Sequence, residues 1–493
     1  MRSASPFPSR GSPRSWRDKS WSRCACLLKR SAISYVRLRT PRGCERQPAT
    51  PFIVPVSLEG VPAVTSPIVA SERHRVTKIT ITPIAFRDLP LLNTVGVHET
   101  FALRAIVEIE TDSGFTGLGE TYGDAPHIAR LRMVARDLVG VDIFNVSEMR
   151  RRIILALRAD TTVGGHGMSG MVTGSSTPDR VLSPFDVAAL DIQGKVVGRP
   201  VSDLLGGAVR SEIAFSGYLF YKWAGHPGQD EDSWDAALDT AGIVAQAQRM
   251  VADFGFTALK LKGGVFTPEE EIDAVLGLRK AFPNHPLRLD PNGAWTVDTS
   301  INVGQVLDGV LEYLEDPTPG ITGMAAVRRE VPMPLATNMC VVSFDDVAPA
   351  VREGAVDVIL SDHHFWGGLR RSQALAGITE TFGLGLSMHS NSHLGISLAA
   401  MVHLAAATPN LDYACDTHWP WKDTDQDVIV PGVLSFHQGA VAVPTTPGLG
   451  VELDRDALAR LHEQYLKCGL LNRDDTGYMQ SLQPEYELLS PRW

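Results

Sequence analysis

Nowhere in its 493 residues does the chain string together 18 apolar residues, so no segment can cross a bilayer as a single helix. Cysteine is scarce. Of six in all, three (Cys24, Cys26, Cys44) crowd into the first 75 residues and three (Cys340, Cys415, Cys468) stand far apart. That usage supplies neither a disulfide framework nor a compact zinc motif, and it fits reduced thiols in a cytoplasmic protein. Positive charge is also in short supply: 46 Lys and Arg face 56 Asp and Glu, a net of −10. Nucleic acid and anionic membrane surfaces are poor partners for such a chain. An anionic small molecule remains open, because the field inside a site can differ from the total.

What is present is the composition of a soluble globular protein, 44% hydrophobic and 21% charged, at a length that suits a large barrel plus a smaller domain. The charge is uneven. Residues 1–75 hold 14 Lys and Arg against 4 Asp and Glu, leaving 32 against 52 in the remainder. The first segment is rich in Ser, Pro and Arg and has no period of 2 or 3.6, so it cannot bury enough apolar surface to fold alone. Its apolar run Cys24–Leu28 is shorter than the roughly 7 residues a signal peptide requires. The Arg- and Ser-rich bias fits a transit peptide somewhat better. The plainest expectation is an extension outside the fold.

An ordered region is expected from Val76. Thr77–Phe86 alternates as a strand, and Ala102–Thr111 with Thr116–Tyr122 reads as a hairpin turned by Asp112, Ser113 and Gly114. Helical patterns follow at Ala129–Leu138 and Val146–Leu157, giving a small α+β domain over 76–184. Residues 164–177 read as a Gly-, Ser- and Thr-rich loop. Gly165, Gly167 and Gly170 match GxGxxG, but no strand precedes them and no helix opens from them, so nucleotide binding is not expected.

From Phe185 to residue 453 short apolar runs recur, each ending in a polar residue: Ile213–Tyr218, Ala258–Lys262, Leu287–Asp290, Tyr313–Glu315, Pro334–Asn338, Val356–Asp362, Gly385–His389 and Leu411–His418. After the first, the steps between polar ends run from 23 to 29 residues, enough for a strand, a helix and two loops. Eight such units predict an α/β fold, a (β/α)8-type barrel with its site at the C-terminal strand ends. The N-terminal α+β domain would cap it, completed by the tail from 454 to 493.

Those strand ends carry the chemistry. Lys260 and Lys262 are two apart and face the same way, and two lysines in a desolvated mouth are expected to depress each other's pKa, as a general base requires. Alone, the pair would more often be two solvated lysines. Asp290, Glu315 and Asn338 end three successive strands and offer oxygen ligands suited to Mg²⁺. Singly, Asp290 could be a helix cap and Asn338 a loop amide. Two carboxylates and a neutral amide would leave the site formally uncharged, favouring a carboxylate ligand and the charge formed when its α-proton leaves. Asp362 and His389 end the sixth and seventh strands, where the Asp would fix the tautomer of the imidazole. His363, His364 and His393 lie nearby and invite a zinc alternative, although their spacing fits no compact zinc motif.

Together, Lys260-Leu261-Lys262, Leu289-Asp290-Pro291-Asn292, Glu315-Asp316-Pro317, Ala336-Thr337-Asn338, Asp362-His363-His364-Phe365-Trp366, His389-Ser390-Asn391 and Asp416-Thr417-His418-Trp419 resemble the enolase superfamily, and within it the glucarate dehydratases. The likeness spans roughly residues 77–493. It implies Lys262 and the His389–Asp362 dyad as acid/base arms, and Asp290, Glu315 and Asn338 as magnesium ligands. It implies substrate contacts from His98, Tyr218, Lys260, Asn292, Ser390, Asn391, His418 and Arg473, the last suited to a distal carboxylate. One departure stands out. The segment Thr318–Leu335 is shorter than in that family, and its sole acid is Glu330.

The activity implied is Mg²⁺-dependent dehydration of D-glucarate or a related hexarate, by α-proton removal and loss of the β-hydroxyl, to 5-dehydro-4-deoxy-D-glucarate. The alternatives are a dehydratase, racemase or epimerase for another acid sugar such as galactarate, or a non-catalytic binding barrel. A homo-oligomer is expected. Deleting residues 1–70 should leave fold and activity intact, measured by solubility and turnover of the truncated chain; an insoluble or inactive product would overturn that expectation.

Overall fold

The computed structural model describes residues 73–160 and 176–493. The expectations for residues 1–72, for the glycine motif and for the loop over 164–175 lie outside the described residues, while Thr177, read as the end of that loop, instead opens a helix. Residues 73–75 belong with the ordered part rather than the extension. The Arg75 amide donates to Asp112 Oδ1 at 2.8 Å and so ties the chain to the hairpin turn.

The first layer is a three-stranded antiparallel sheet with Phe101–Thr111 between Val76–Arg87 and Thr116–Tyr122. Nearly every residue of the central strand is buried, because both of its faces are covered. Ala105, Val107 and Ile109 point to a cluster with Leu131 and Val134 of the helix Ala125–Leu138 and with Phe185 and Ala188 of the helix Thr177–Val197. Their alternates Ala102 and Ile106 belong to the apolar cluster of the barrel. The period of 2 thus sends Arg104, between Ala102 and Ile106, toward the barrel as well. The helix Thr177–Val197 runs without interruption across the expected 184/185 junction. It lies flat on the third strand because Gly117 and Gly119 have no side chains. A Cβ at Gly119 would collide with the Pro184 carbonyl, and one at Gly117 with that of Ala188.

Eight parallel strands then form the barrel: Glu212–Phe220, Ala258–Lys262, Leu287–Asp290, Tyr313–Glu315, Leu335–Thr337, Val358–Ser361, Gly385–Met388 and Cys415–Thr417. The first pairs with both the second and the eighth, at Ser216↔Ala258 and Cys415↔Phe215. Between the seventh and eighth, the Asp412 amide donates to the Leu386 carbonyl at 3.1 Å. Helices fill the intervals, such as Pro268–Ala281, whose Thr267 and Glu270 form a reciprocal N-terminal cap. These strands are the apolar runs read from the sequence. Among the described residues no helix is long and apolar enough to cross a membrane.

The eighth strand is followed by a short 3-10 turn, Trp419–Trp421, and the chain then returns to the first sheet. On the helix Arg455–Cys468, Gln464 Nε2 donates to the Ala85 carbonyl and Arg455 pairs with Glu108. The last residues cross the third barrel loop, where the Arg492 amide meets the Ala294 carbonyl at 2.6 Å and the Thr296 amide meets the Trp493 carbonyl at 2.5 Å.

A branched side chain at Gly119 would force the helix Thr177–Val197 off its strand. Gly119→Val should therefore lower stability by about 2–3 kcal/mol, read as a lower urea midpoint at unchanged slope; an unchanged midpoint would mean that the contact is not tight.

Candidate functional site

Lys260 and Lys262 alternate with buried leucines on the second strand, so both enter the barrel mouth. Lys260 is fully buried. Its Nζ lies 2.6 Å from Glu315 Oε2, 2.7 Å from Asp416 Oδ2 and 3.7 Å from Asp290 Oδ2, above the Tyr218 ring. Burial alone would lower its pKa, but Asp416 and Glu315 outweigh that and push it well above the ordinary lysine value. The expectation that the two lysines depress each other therefore fails for Lys260. Each ammonium meets carboxylates before it meets the other, since Lys262 Nζ donates to Asp290 Oδ2 at 2.8 Å.

Asp290, Glu315 and Asn338 stand side by side at the ends of the third, fourth and fifth strands, all buried. Asp290 Oδ1 accepts from Asn292 N and Nδ2, and Tyr218 OH donates to Oδ2 at 3.1 Å. Burial would raise the Asp290 pKa, but Lys262 and Lys260 hold it down at about 2. Glu315 moves the other way, well above its ordinary value, through burial and then the charge of Asp290. Asn338 Nδ2 donates to Glu315 Oε1 at 2.7 Å. The neighbouring Asp316, at φ 36°, accepts from Thr337 Oγ1 at 2.5 Å and from the amides of Asn338 and Met339 at 2.7 and 3.1 Å, fixing the fifth strand end to the fourth. Burial and Asp290 raise its pKa to about 7. Buried, mutually repelling carboxylates beside a side-chain amide, whose oxygen is a further hard donor, form a set that a hard divalent cation fits. Glu330 is exposed, after the helix Gly320–Arg328, and is no part of this group.

On the other side, His389 Nδ1 lies 3.1 Å from Asp362 Oδ2. His364 Nδ1 takes the second oxygen of the same carboxylate at 2.7 Å. Ser390 Oγ and His418 Nδ1 are 3.1 Å apart, and Asn391 Nδ2 reaches Tyr122 OH at 3.4 Å. Burial, then the nearby His98 and His389, lower the His418 pKa well below the imidazole value. Asp362, His363 and His364 bring one ligand atom each within 4.8 Å of one another. Both Asp362 oxygens are already bonded to imidazoles, however, and Arg104 Nη2 stands 2.9 Å from His364 Nε2. Asp362 and His364 are thus committed to hydrogen bonds and are not open zinc ligands, whereas His363 Nε2 is buried without a partner.

His98 arrives from the loop after the hairpin Leu92–Asn93/Gly96–Val97. Its Nδ1 is 3.2 Å from Asp88 Oδ2 and its ring is 6.0 Å from that of Phe220, which in turn touches His418. Arg473 does not present an open guanidinium. Its Nη1 bonds Asp88 at 2.9 Å and its Nε bonds Asp475 at 2.8 Å, so it serves first to hold Asp88 and the tail together. Burial would raise Asp88, but His98 and Arg473 hold it at about 2. Sequence reasoning gave no role to Asp416, Asp316 or His364. Asp416 was findable, since it stands in the Asp416-Thr417-His418-Trp419 motif at the end of the eighth strand. His364 and Asp316 gave no such signal, because their roles depend on turns after the strands.

The chain matches the mandelate racemase/muconate lactonizing enzyme N-terminal domain over residues 77–206 and the enolase C-terminal domain-like family over residues 242–457. It is 50% identical over 428 residues to a probable glucarate dehydratase of Streptomyces coelicolor, covering 85% of this chain and 99% of that protein. Among solved structures, an enolase of Mycobacterium smegmatis complexed with formate and acetate is 64% identical at a TM-score of 0.84, covering 86% of this chain and all of that one. An enolase of Gibberella zeae complexed with magnesium, formate and sulfate is 58% identical at the same TM-score, covering 86% of this chain and 98% of that one.

Asp362 offers a test of this geometry that needs no substrate. Burial raises its pKa, but His364 and His389 outweigh that and hold it well below the carboxylate range. A carboxyl depressed in the folded state contributes stability fully above its unfolded pKa of about 4, and loses it as pH falls toward the folded value. Asp362→Asn should cost roughly 1–3 kcal/mol at pH 7. By urea midpoints, the gap from the parent should narrow below about pH 4. A gap of the same size at pH 3 and pH 7 would contradict the assignment.

Proposed function

The chain belongs to the mandelate racemase/muconate lactonizing branch of the enolase superfamily, and from that premise we propose that it is an acid-sugar dehydratase acting on D-glucarate or a related hexarate. One observation carries the reading. Lys262 on the second strand and the His389–Asp362 pair on the seventh and sixth flank a buried trio of Asp290, Glu315 and Asn338. The 50% identity across nearly all of a probable glucarate dehydratase supports the same substrate class.

Bound by Asp290, Glu315 and Asn338, Mg²⁺ would supply the positive charge that offsets the substrate carboxylate and the further charge gained when the α-proton leaves. The remaining work falls to side chains. Asp362 accepts the Nδ1 proton of His389, which leaves Nε2 as the atom that takes the α-proton. Lys260, kept cationic by Asp416 and Glu315, stabilises the negative charge that develops. The imidazolium of His389 returns its proton to the departing β-hydroxyl, which leaves as water. The enol then becomes the keto group of a 2-keto-3-deoxy diacid, here 5-dehydro-4-deoxy-D-glucarate. Lys262, from its separate strand, serves the epimer that presents its α-proton on the opposite face.

A panel of acid sugars assayed with and without Mg²⁺ tests this, because elimination yields a keto acid and racemisation does not. EDTA should abolish turnover and Mg²⁺ restore it. His389→Asn should lower kcat by roughly two to four orders of magnitude for both epimers, while Lys262 still exchanges the α-proton of one with deuterium. Near-parental dehydration of D-glucarate by this variant would overturn the assignment.

A further inference from the structure

Asp362 serves two imidazoles. It follows the sixth strand as the N-cap of the one-turn helix His363–Trp366, and its Oδ1 accepts from both the backbone amide and Nδ1 of His364, at 2.9 and 2.7 Å. The acid/base arm uses only Oδ2. Three elements fix the far side of the His364 ring. Arg104 Nη2, from the central strand of the first sheet, lies 2.9 Å from Nε2. Ser397 Oγ, from the helix Gly395–Ala406, lies 3.0 Å from the same atom. Glu120, from the third strand, accepts from Arg104 Nε at 2.9 Å and from the amides of Leu394 and Ser397 at 2.9 Å each. Burial opposes the Glu120 charge, but Arg104 overcomes it and holds the pKa below the ordinary value.

Arginine has donors and no acceptor, so the nitrogen facing Arg104 must bear a lone pair. The ring proton of His364 then resides on Nδ1, where it can reach only Asp362. We propose that His364 is a positioning residue for the dyad, its tautomer set by Arg104, so that Asp362 divides its charge between a fixed hydrogen bond and the working His389. The inference rests on the role of His389 proposed above. Its consequence is tuning. A carboxylate stabilised by a second donor holds the His389 imidazolium less tightly, which lets that ring take and return a proton within one cycle. The other charged or titratable groups around Asp362 are Tyr122 on the third strand, Arg180 on the helix Thr177–Val197, His363 on its own helix and His393 after the seventh strand.

The test compares His364→Leu, which removes the donor, with His364→Asn, whose amide N–H falls near the Nδ1 position. Histidine-labelled protein is titrated by NMR, with the His389 signals assigned from their loss in His389→Asn, and kcat/KM is followed against pH. For the leucine variant we expect the His389 titration and the acidic limb of the rate profile to move together to higher pH, by about one unit, with kcat down about ten- to a hundredfold. The asparagine variant should restore both toward the parent. A leucine variant that keeps its circular dichroism yet titrates as the parent does would overturn the inference, as would one whose limb stays fixed while kcat falls. A parent that turns over no acid sugar would overturn the proposed function instead, and the titration would still decide the coupling of His364 to Asp362.

Discussion

Charge compensation inside the barrel mouth governs the rest of this molecule. Asp290, Glu315 and Asp416 share a buried volume with Lys260 and Lys262, and none of the five could be isolated there without a cost of several kcal/mol. Each is tolerable only because the others are in register. Lys260 reaches all three acids, Asp290 at the longest distance, and Lys262 reaches Asp290 as well, so the identities at the ends of the second, third, fourth and eighth strands are mutually dependent. Deleting one partner would leave an uncompensated charge, a larger penalty than the loss of a single hydrogen bond.

The same logic reaches outward through neutral and ionic links. The proposed acid/base residue His389 bonds Asp362, Asp362 bonds His364, and His364 meets an Arg104–Glu120 pair that belongs to the first sheet. Cap and barrel are therefore joined by polar contacts as well as by the apolar cluster that Ile106 and Tyr122 share with it. On the opposite flank Asp88, Arg473 and Asp475 tie the loop bearing His98 to the tail. Neither flank could be built from the barrel alone. Asp88, Arg104 and His98 lie on one side of the chain's length, and Arg473 and Asp475 on the other.

Much of this was legible in the sequence because it followed fixed periods. The barrel strands revealed themselves by apolar runs ending in polar residues, and the hairpin at Asp112–Gly114 by alternation around a turn. Lys260, Lys262, Asp290, Glu315 and Asn338 were readable because position at a strand end is a local property. What escaped depended on distance between elements. The pairing of Lys260 with Asp416 joins residues 156 positions apart, and it reversed the sign of the pKa shift expected for Lys260 from the two lysines alone. Arg473 looked like an open guanidinium in sequence because its partner Asp88 lies 385 positions away. The continuous helix Thr177–Val197 was divided in the reading because Asp179–Gly194 is buried on every side, which leaves no one-sided apolar period to mark a helix.

Asp316 shows how backbone conformation and site charge are bound together. A non-glycine residue at φ 36° is strained, and such strain persists only where surroundings enforce it. Here the enforcement is visible: three donors from residues 337 to 339 converge on its carboxylate. Those bonds turn Asp316 away from the mouth while its neighbour Glu315 points in, so two adjacent acids take different tasks. One binds the next strand end in place, and the other joins Asp290 at the centre. A relaxed backbone at residue 316 would let both carboxylates compete for Lys260, and the register on which the buried charges depend would be lost.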